Sequence, residues 1–429
     1  MSAPSIAASG TTLIRNRNYQ LLWISQALSG AGLSASVIAF PLLVLALTGS
    51  ATASGVVLGT IAAAQLLAGL PAGALADRWD RKKIMLSCEA LQVVAAASLV
   101  AALAAGMAEP PHLIIMAHLI VVAAVMGICA ALFRPAEDAC LPRVVPAEQL
   151  PTAVALNAAR ASLAQLAGTA AGGFLFALAR FVPFLADALA HTLACSLLMF
   201  LRVPPRENAP APVQHLGRDI RDGLRWVWRR RHIRVAALSA VALNLFFSAF
   251  YLIVIVLAQG RGVPPGQIGV MAAMLGVGGL LGALAASRLT RLVSPYTSII
   301  VVFWGLAALT PVAAVLYSGY LLGILFAAMA ILPATANTTI ITGALLLTPD
   351  ELRGRLSSVL TLLSGSAAVL GPVLGGLLTT AFTGGVAVLL CAAGAALTAL
   401  VATLSPALRS FPRPPRGAAS QEQVPPKGE

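Results

Sequence analysis

Gly73-Ala-Leu-Ala-Asp77-Arg78-Trp79-Asp80-Arg81-Lys82-Lys83 is a dense cluster of charge set between two long apolar runs, residues 51–75 and 84–106. The first run has no ionisable side chain and the second has only Glu89. Each exceeds the roughly 20 residues that a helix needs to cross a bilayer's hydrocarbon core. The cluster is therefore read as the turn between two membrane helices, with its cations held on one side of the lipid.

Working outward from that turn, the same alternation recurs along the whole chain. Apolar runs cover 20–46, 51–75, 84–106, 113–133, 153–178 and 181–201, then 235–258, 267–287, 296–317, 320–347, 356–381 and 384–405, which makes twelve spans. Composition agrees: 59% of the residues are hydrophobic and 10% charged, against about 25% charged in a soluble domain. The mean hydropathy is +0.89. The expected fold is an all-α membrane protein with no room for a sizeable soluble or extracellular catalytic domain. Arg15 and Arg17 lead into a first run too long for a signal peptide, so that run is expected to stay in the chain.

With both termini in the cytoplasm, 25 of the 28 Lys and Arg residues fall on that side; Arg180 and Arg261 lie outside and Arg160 lies within span 5. The positive-inside rule thus accounts for the net charge of +13 without a nucleic-acid partner. The 25 arginines against three lysines fit a GC-rich bacterial genome, hence a bacterial inner membrane. The five cysteines (Cys88, Cys129, Cys140, Cys195, Cys391) show neither a disulfide framework nor metal-ligand spacing and are read as small packing residues. No cofactor is implied, and the phosphate-binding pattern of an ATPase is absent.

The two halves repeat each other. An offset of 203 residues pairs Pro146 with Pro349, Glu148 with Glu351, and Gly168, Gly172 and Gly173 with Gly371, Gly375 and Gly376. Gly73-Ala-Leu-Ala recurs as Gly282-Ala-Leu-Ala at an offset of 209. Two six-helix bundles follow, at 18–202 and 235–405, with cytoplasmic tails at 1–17 and 406–429. Between them, residues 203–234 start proline-rich and continue with Leu216, Ile220, Leu224 and Val227 at helical spacing among arginines. This reads as a basic amphipathic helix on the cytoplasmic leaflet or as a purely topogenic charge run.

The loop 73–83 resembles the signature between helices 2 and 3 of the major facilitator superfamily, with Asp80 in place of the usual second glycine. Asn16-Arg17-Asn18-Tyr19, Phe133-Arg134-Pro135-Ala136, Leu141-Pro142-Arg143 and Pro349-Asp350-Glu351-Leu352-Arg353-Gly354-Arg355 are similar to its enterobactin-exporter and macrolide-efflux branch. The likeness covers nearly everything before residue 406. It implies the major facilitator fold, secondary active transport of a small molecule by a monomer, and a cytoplasmic gate at Gly73, Asp77, Arg78, Arg81, Lys82 and Arg134. It also associates a Gly-Pro-x-x-Gly-Gly element on helix 5 with export; here Thr169 replaces that proline, and the intact version lies on span 11. Span 1 carries Gly32-Leu33 where related exporters often have an acid.

Residue chemistry supplies the remaining candidates. Asp77 can accept bonds from Arg78, Arg81 or Arg134, or face the positive end of span 11 near 356–358, and so latch the cytoplasmic side. Asp187 and His191, four apart on span 6, share a face roughly 9 Å and 15 Å from its outer end. They form either a proton-coupling pair or a satisfied polar pair. Glu89 either joins that coupling or pairs with Lys82, Lys83 or Arg160. His118 lacks an acid on its own helix and reads as a bundle-interior histidine. Gln26, Gln65, Gln92, Asn157 and Asn244 either line a cavity or bond between helices. Gly168/Gly172 and Gly371/Gly375 are expected to form the contact on which the bundles pivot. The expected activity is export of an amphipathic, natural-product-like compound coupled to protons, with uptake as the alternative. An intramembrane enzyme is disfavoured for want of a convergent nucleophile or metal set.

Overall fold

The computed structural model describes residues 13–106, 113–203, 216–346, 348 and 350–409. Among these every regular element is a helix. Six long helices come first: α1 (Arg17–Thr48), α2 (Ala51–Arg78), α3 (Arg81–Ala104), α4 (Leu113–Val144), α5 (Leu150–Leu178) and α6 (Val182–Met199). The connecting helix α7 (Leu216–Arg229) leads into α8 (Arg231–Gly260), α9 (Pro265–Leu292), α10 (Pro295–Leu309), α11 (Gly319–Leu346), α12 (Asp350–Ala381), α13 (Gly384–Leu404) and the short α14 (Pro406–Arg409). Twelve of them are long and apolar enough to cross a membrane.

Local chemistry sets the helix ends. The side chain of Asn16 accepts from the Tyr19 N–H to start α1, and Gly49, at φ 64°, ends it with its N–H on the Leu45 carbonyl. Only a residue without Cβ adopts that left-handed turn cheaply. Asp80 caps α3 by accepting from the N–H groups of Lys82 and Lys83. That explains the departure from the familiar glycine, since both residues suit an N-cap position. Asp80→Ala is expected to cost about 1 kcal/mol and Asp80→Gly only a few tenths. Thermal unfolding of the detergent-solubilised chain should show that order.

The helices pack as two bundles with matching internal contacts. In the first, α1 lies against α5 and α6, α2 against α4, and α3 against α4 and α6; in the second, α8 lies against α12 and α13, and α9 against α11. The halves meet where α2 packs on α12 and α5 packs on α9. Several boundaries differ from the sequence reading, two of them at prolines. Helix α4 runs on through Pro135 and Pro142 to Val144, beyond the expected end at 133. Span 9 ends as a 3₁₀ turn, Thr310–Ala314, which holds Pro311 at its start. In α7, Val227 is expected in a lipid-facing stripe but is buried with Ile233, Leu356 and Val359. The helix therefore docks on α12, leaving Leu224, Arg225 and Trp228 exposed. The expected positions of Leu216 and Ile220 in that stripe concern side chains outside the described set, as do residues 204–215.

The glycine expectation needs correction. A methyl on Gly168 would sit 2.2 Å from the Ala31 carbonyl oxygen, and one on Gly172 would sit 2.6 Å from that of Ala35, both on α1 of the same bundle. Gly371 and Gly375 meet α8 in the same way. These pairs build each bundle internally. The contact between bundles falls one residue further on: Gly173 lies against Gly269 and Pro265 of α9, and Gly376 against Ala51 and Thr52 of α2. Successive glycines face different neighbours because adjacent helix positions are separated by about 100° around the axis.

Candidate functional site

A cavity of about 1090 Å³ lies between the halves at mid-height. It adjoins a second of about 1350 Å³, with Ala62, Gln65, Ala130, Arg134 and Asp138 on the walls of both. The second reaches Gly73 and Ala76 at the end of α2 and Leu356 near the start of α12. The path thus runs toward the end that carries the 73–83 loop. At the opposite end the contacts of Gly173 and Gly376 close the halves together.

Three sequence candidates meet at this cavity, with Glu89 and His191 on its wall and Asp187 behind them. His191 places Nδ1 2.5 Å from Glu89 Oε2 and Nε2 3.2 Å from Asp187 Oδ1. All three residues are buried. Glu89 therefore pairs with the imidazole and not with Lys82, Lys83 or Arg160, because its position on α3 turns it toward α6. Asp187 is held from α1: Ser36 Oγ donates to Asp187 Oδ2 at 2.9 Å. A methyl on Gly32 would lie 2.8 Å from Asp187 Oδ1. The carboxylate thus lies against span 1, which has no acid of its own. One turn away, Phe40 and Phe184 meet edge to face at 5.2 Å, fixing α1 on α6. An imidazole with a carboxylate at each nitrogen can accept a proton from one side and release it to the other.

Nearer the loop end, Arg160 Nη2 donates to Glu137 Oε1 at 2.8 Å, and both residues are buried. Sequence reading misses Glu137 because it ends span 4 at 133. The spacing of Ala130, Arg134, Glu137 and Leu141 carries the helical signal that could have found it. Removing one member of such a pair leaves an uncompensated buried charge and costs roughly 3–5 kcal/mol. Glu137→Gln and Arg160→Gln are accordingly expected to lower the melting temperature clearly, and the double variant by less than the sum, as a double-mutant cycle would show.

The remaining candidates divide. Gln26, Gln65 and Asn157 line the central cavity and Asn244 the second. Asn244 also donates to the Ala240 carbonyl of its own helix. His118 meets Ser98 Oγ at 3.2 Å. Arg81 donates to the Ala139 carbonyl at 2.7 Å and Lys82 to that of Met199 at 2.8 Å, which ties the loop to α4 and α6. Arg78 and Arg134 are both exposed, Arg134 on the cavity wall. The Asp77 side chain lies outside the described set, so the latch expectation is not placed.

The two walls differ in chemistry. Every charged side chain on the described cavity lining comes from the first half: Glu89, Arg134, Glu137, Asp138, Arg160 and His191. The same wall carries buried polar atoms without a hydrogen-bond partner: Gln26 Nε2, Gln92 Oε1, Asn157 Oδ1, Arg160 Nε and His191 Nε2, the last facing an equally unbonded Asp187 Oδ1 at 3.2 Å. The facing wall of the central cavity offers Phe247, Ser248, Tyr251, Ala272, Leu275 and Pro372. Buried polar groups left unpaired cost free energy that a complementary ligand recovers.

Comparison with known proteins places these features in context. Residues 8–423 match the family model for a transmembrane secretion effector. A multidrug efflux pump, Tap, of Mycobacterium tuberculosis is 26% identical over 410 residues, 92% of this chain and 95% of the relative. A mutant form of the nucleoside transporter NupG superposes with a TM-score of 0.76 at 11% identity, over 90% of this chain and 99% of the other. A bacterial homologue of the lysosomal transporter Spinster, in an inward-facing, unoccupied conformation, gives 0.71 at 16% identity, over 92% and 98%.

Proposed function

We propose that this chain, which belongs to the transmembrane secretion effector family of the major facilitator superfamily, is a proton-coupled exporter of small amphipathic compounds. It is a multi-pass membrane transporter of that fold and not an enzyme. The observation that carries the finer reading is the cavity itself: an imidazole between two carboxylates on a charged, hydrogen-bonding wall, facing a wall of aromatic and aliphatic side chains. A compound with one polar and one apolar face satisfies both walls at once. The likeness to a multidrug efflux pump supports export over uptake.

In this reading the chain sits in a bacterial inner membrane as a monomer with both termini cytoplasmic, since the loop-end cations belong inside. The described conformation is then open to the cytoplasm. Cargo enters from that side while the Glu89–His191–Asp187 cluster gives up its proton; rocking that parts the Gly173 and Gly376 contacts exposes the cluster to the outside for reprotonation. Asp77 latches the cytoplasmic side in the opposite conformation, so Asp77→Asn should slow transport severalfold while leaving insertion unchanged.

The test is accumulation of fluorescent amphipathic drugs in cells expressing the chain, with and without a protonophore. Lower accumulation that the protonophore abolishes is expected. Accumulation raised by the chain would establish uptake instead, and export unchanged by the protonophore would remove the proton from the mechanism.

A further inference from the structure

The second half holds a further space, a cavity of about 290 Å³ between α8, α9, α10 and α11, lined wholly by residues of that bundle. Phe247 and Leu275 line both it and the central cavity. Ala240, Asn244, Asn337 and Ile340 line both it and the second cavity. It is therefore a side branch of the path, reached without crossing lipid. Val302, Phe303 and Leu306 of α10 are buried and line the branch but neither larger cavity. Small side chains make the room: Ala240, Ala330 and Ala336 supply little bulk. Pro333, on the same lining, interrupts the hydrogen-bond ladder of α11.

None of the described residues on this lining is charged, and its two amides, Asn244 and Asn337, are among the residues shared with the second cavity. Asn244 commits Nδ2 to the Ala240 carbonyl at 2.9 Å, which leaves Oδ1 as the group it can offer a ligand. Water in so apolar a space finds few partners.

We propose that this branch is a ring-binding subsite, which takes a fused bicyclic ring system carrying a hydroxyl or N–H donor at its edge. Volume sets the ring size. The space is about twice the roughly 150 Å³ apolar cavity that holds benzene, so one ring leaves a void and three overfill it. Burial of the ring supplies affinity, and the donor, bound to Asn244 Oδ1, sets its orientation. The remainder of the molecule extends past Phe247 and Leu275 into the central cavity, toward the charged wall. The inference rests on the reading of the chain as a carrier of amphipathic compounds and specifies the apolar end of that cargo.

The experiment uses the full chain in lipid nanodiscs, without any pH gradient, and a trifluoromethyl-diazirine benzyl alcohol as photoprobe. Peptides carrying Phe303, Leu306 and Pro333 should take label that naphthalenemethanol suppresses at an at least about tenfold lower concentration than benzyl alcohol. The methyl ether of naphthalenemethanol, which has no donor, should compete about three- to tenfold less well. Ala330→Phe should abolish the suppressible label while label on lipid-facing residues persists. Leu306→Ala should admit anthracenemethanol, which does not compete in the unmodified chain; this enlarged variant decides the matter if the filled one fails to fold. The assignment is overturned if these peptides carry no suppressible label, if all three ring sizes compete alike, or if neither variant changes the competition. Labelling needs no gradient and no direction of transport. Suppressible label in a chain that exports nothing would remove only the export reading, and export without such label would remove only the subsite.

Discussion

Glu89→Gln and Asp187→Asn should each reduce proton-driven export about 10- to 100-fold while leaving the protein folded and inserted. Each substitution keeps the side chain's shape and removes one carboxylate from His191, which now has Glu89 at 2.5 Å and Asp187 at 3.2 Å. Glu89 hydrogen-bonds the imidazole, and such a bond to a charged group is worth about 1.5–3 kcal/mol, each 1.4 kcal/mol being tenfold in an equilibrium; Asp187 acts on Nε2 through its charge at 3.2 Å. Loss of one carboxylate changes the imidazole's ability to hold a proton, so the coupling step suffers and not the cargo's fit. Drug binding to the purified variants should therefore survive, while efflux down an imposed pH gradient fails. Ser36→Ala removes only a neutral donor to Asp187 and should weaken export less, by about tenfold at most. Gly32→Ala places a methyl 2.8 Å from Asp187 Oδ1 and should act like the Asp187 variant without changing any charge. Full, protonophore-sensitive export by Glu89→Gln would end the assignment of coupling to this cluster.

The second large effect is expected where the halves touch. Gly376→Leu forces a side chain toward the Ala51 carbonyl oxygen, which already lies 2.5 Å from the position of a first methyl; Gly173→Leu meets the Pro265 carbonyl at 2.4 Å. Backbone cannot give way as a flexible side chain does, and overpacking of this kind costs about 1–3 kcal/mol or more. The penalty applies only while the seam is closed, so both variants should favour the alternative conformation and slow turnover at least about tenfold. Labelling of cysteines introduced near Thr52 and Thr380, whose hydroxyls meet at 2.9 Å, should rise sharply in these variants. Gly168→Leu offers the contrast: its obstacle is Ala31 of the same bundle, so the loss should register as a lower melting temperature. If Gly168 and Gly376 variants behaved alike in both assays, the distinction between internal and inter-bundle glycines would fall.

The sequence was most legible where hydrophobic length alone decides the outcome. Twelve spans and the connecting helix can be read from it because lipid demands long uninterrupted apolar runs with charges pushed to their ends. Charge placement misled in one place: Arg134, Glu137 and Asp138 look like a loop, yet α4 continues through them because they face a cavity and not lipid. The contents of the site were legible in part. Asp187 and His191 share a helix face and can be paired from their spacing, whereas Glu89 arrives from α3 and Ser36 from α1. Contacts between helices distant in sequence leave no periodic trace. The same reason hides the one-residue difference between Gly172, which meets α1, and Gly173, which meets α9.

The confinement of charged side chains to one wall of the described chamber lining separates two kinds of evolutionary freedom. In an exporter of the proposed kind, residues such as Phe247, Tyr251 and Leu275 can drift to suit new compounds without disturbing the charged cluster on the opposite wall. Were the chain such a drug exporter, a population under drug pressure would gather its spectrum-altering changes in the later half of the gene, while the charged cluster would constrain the earlier half.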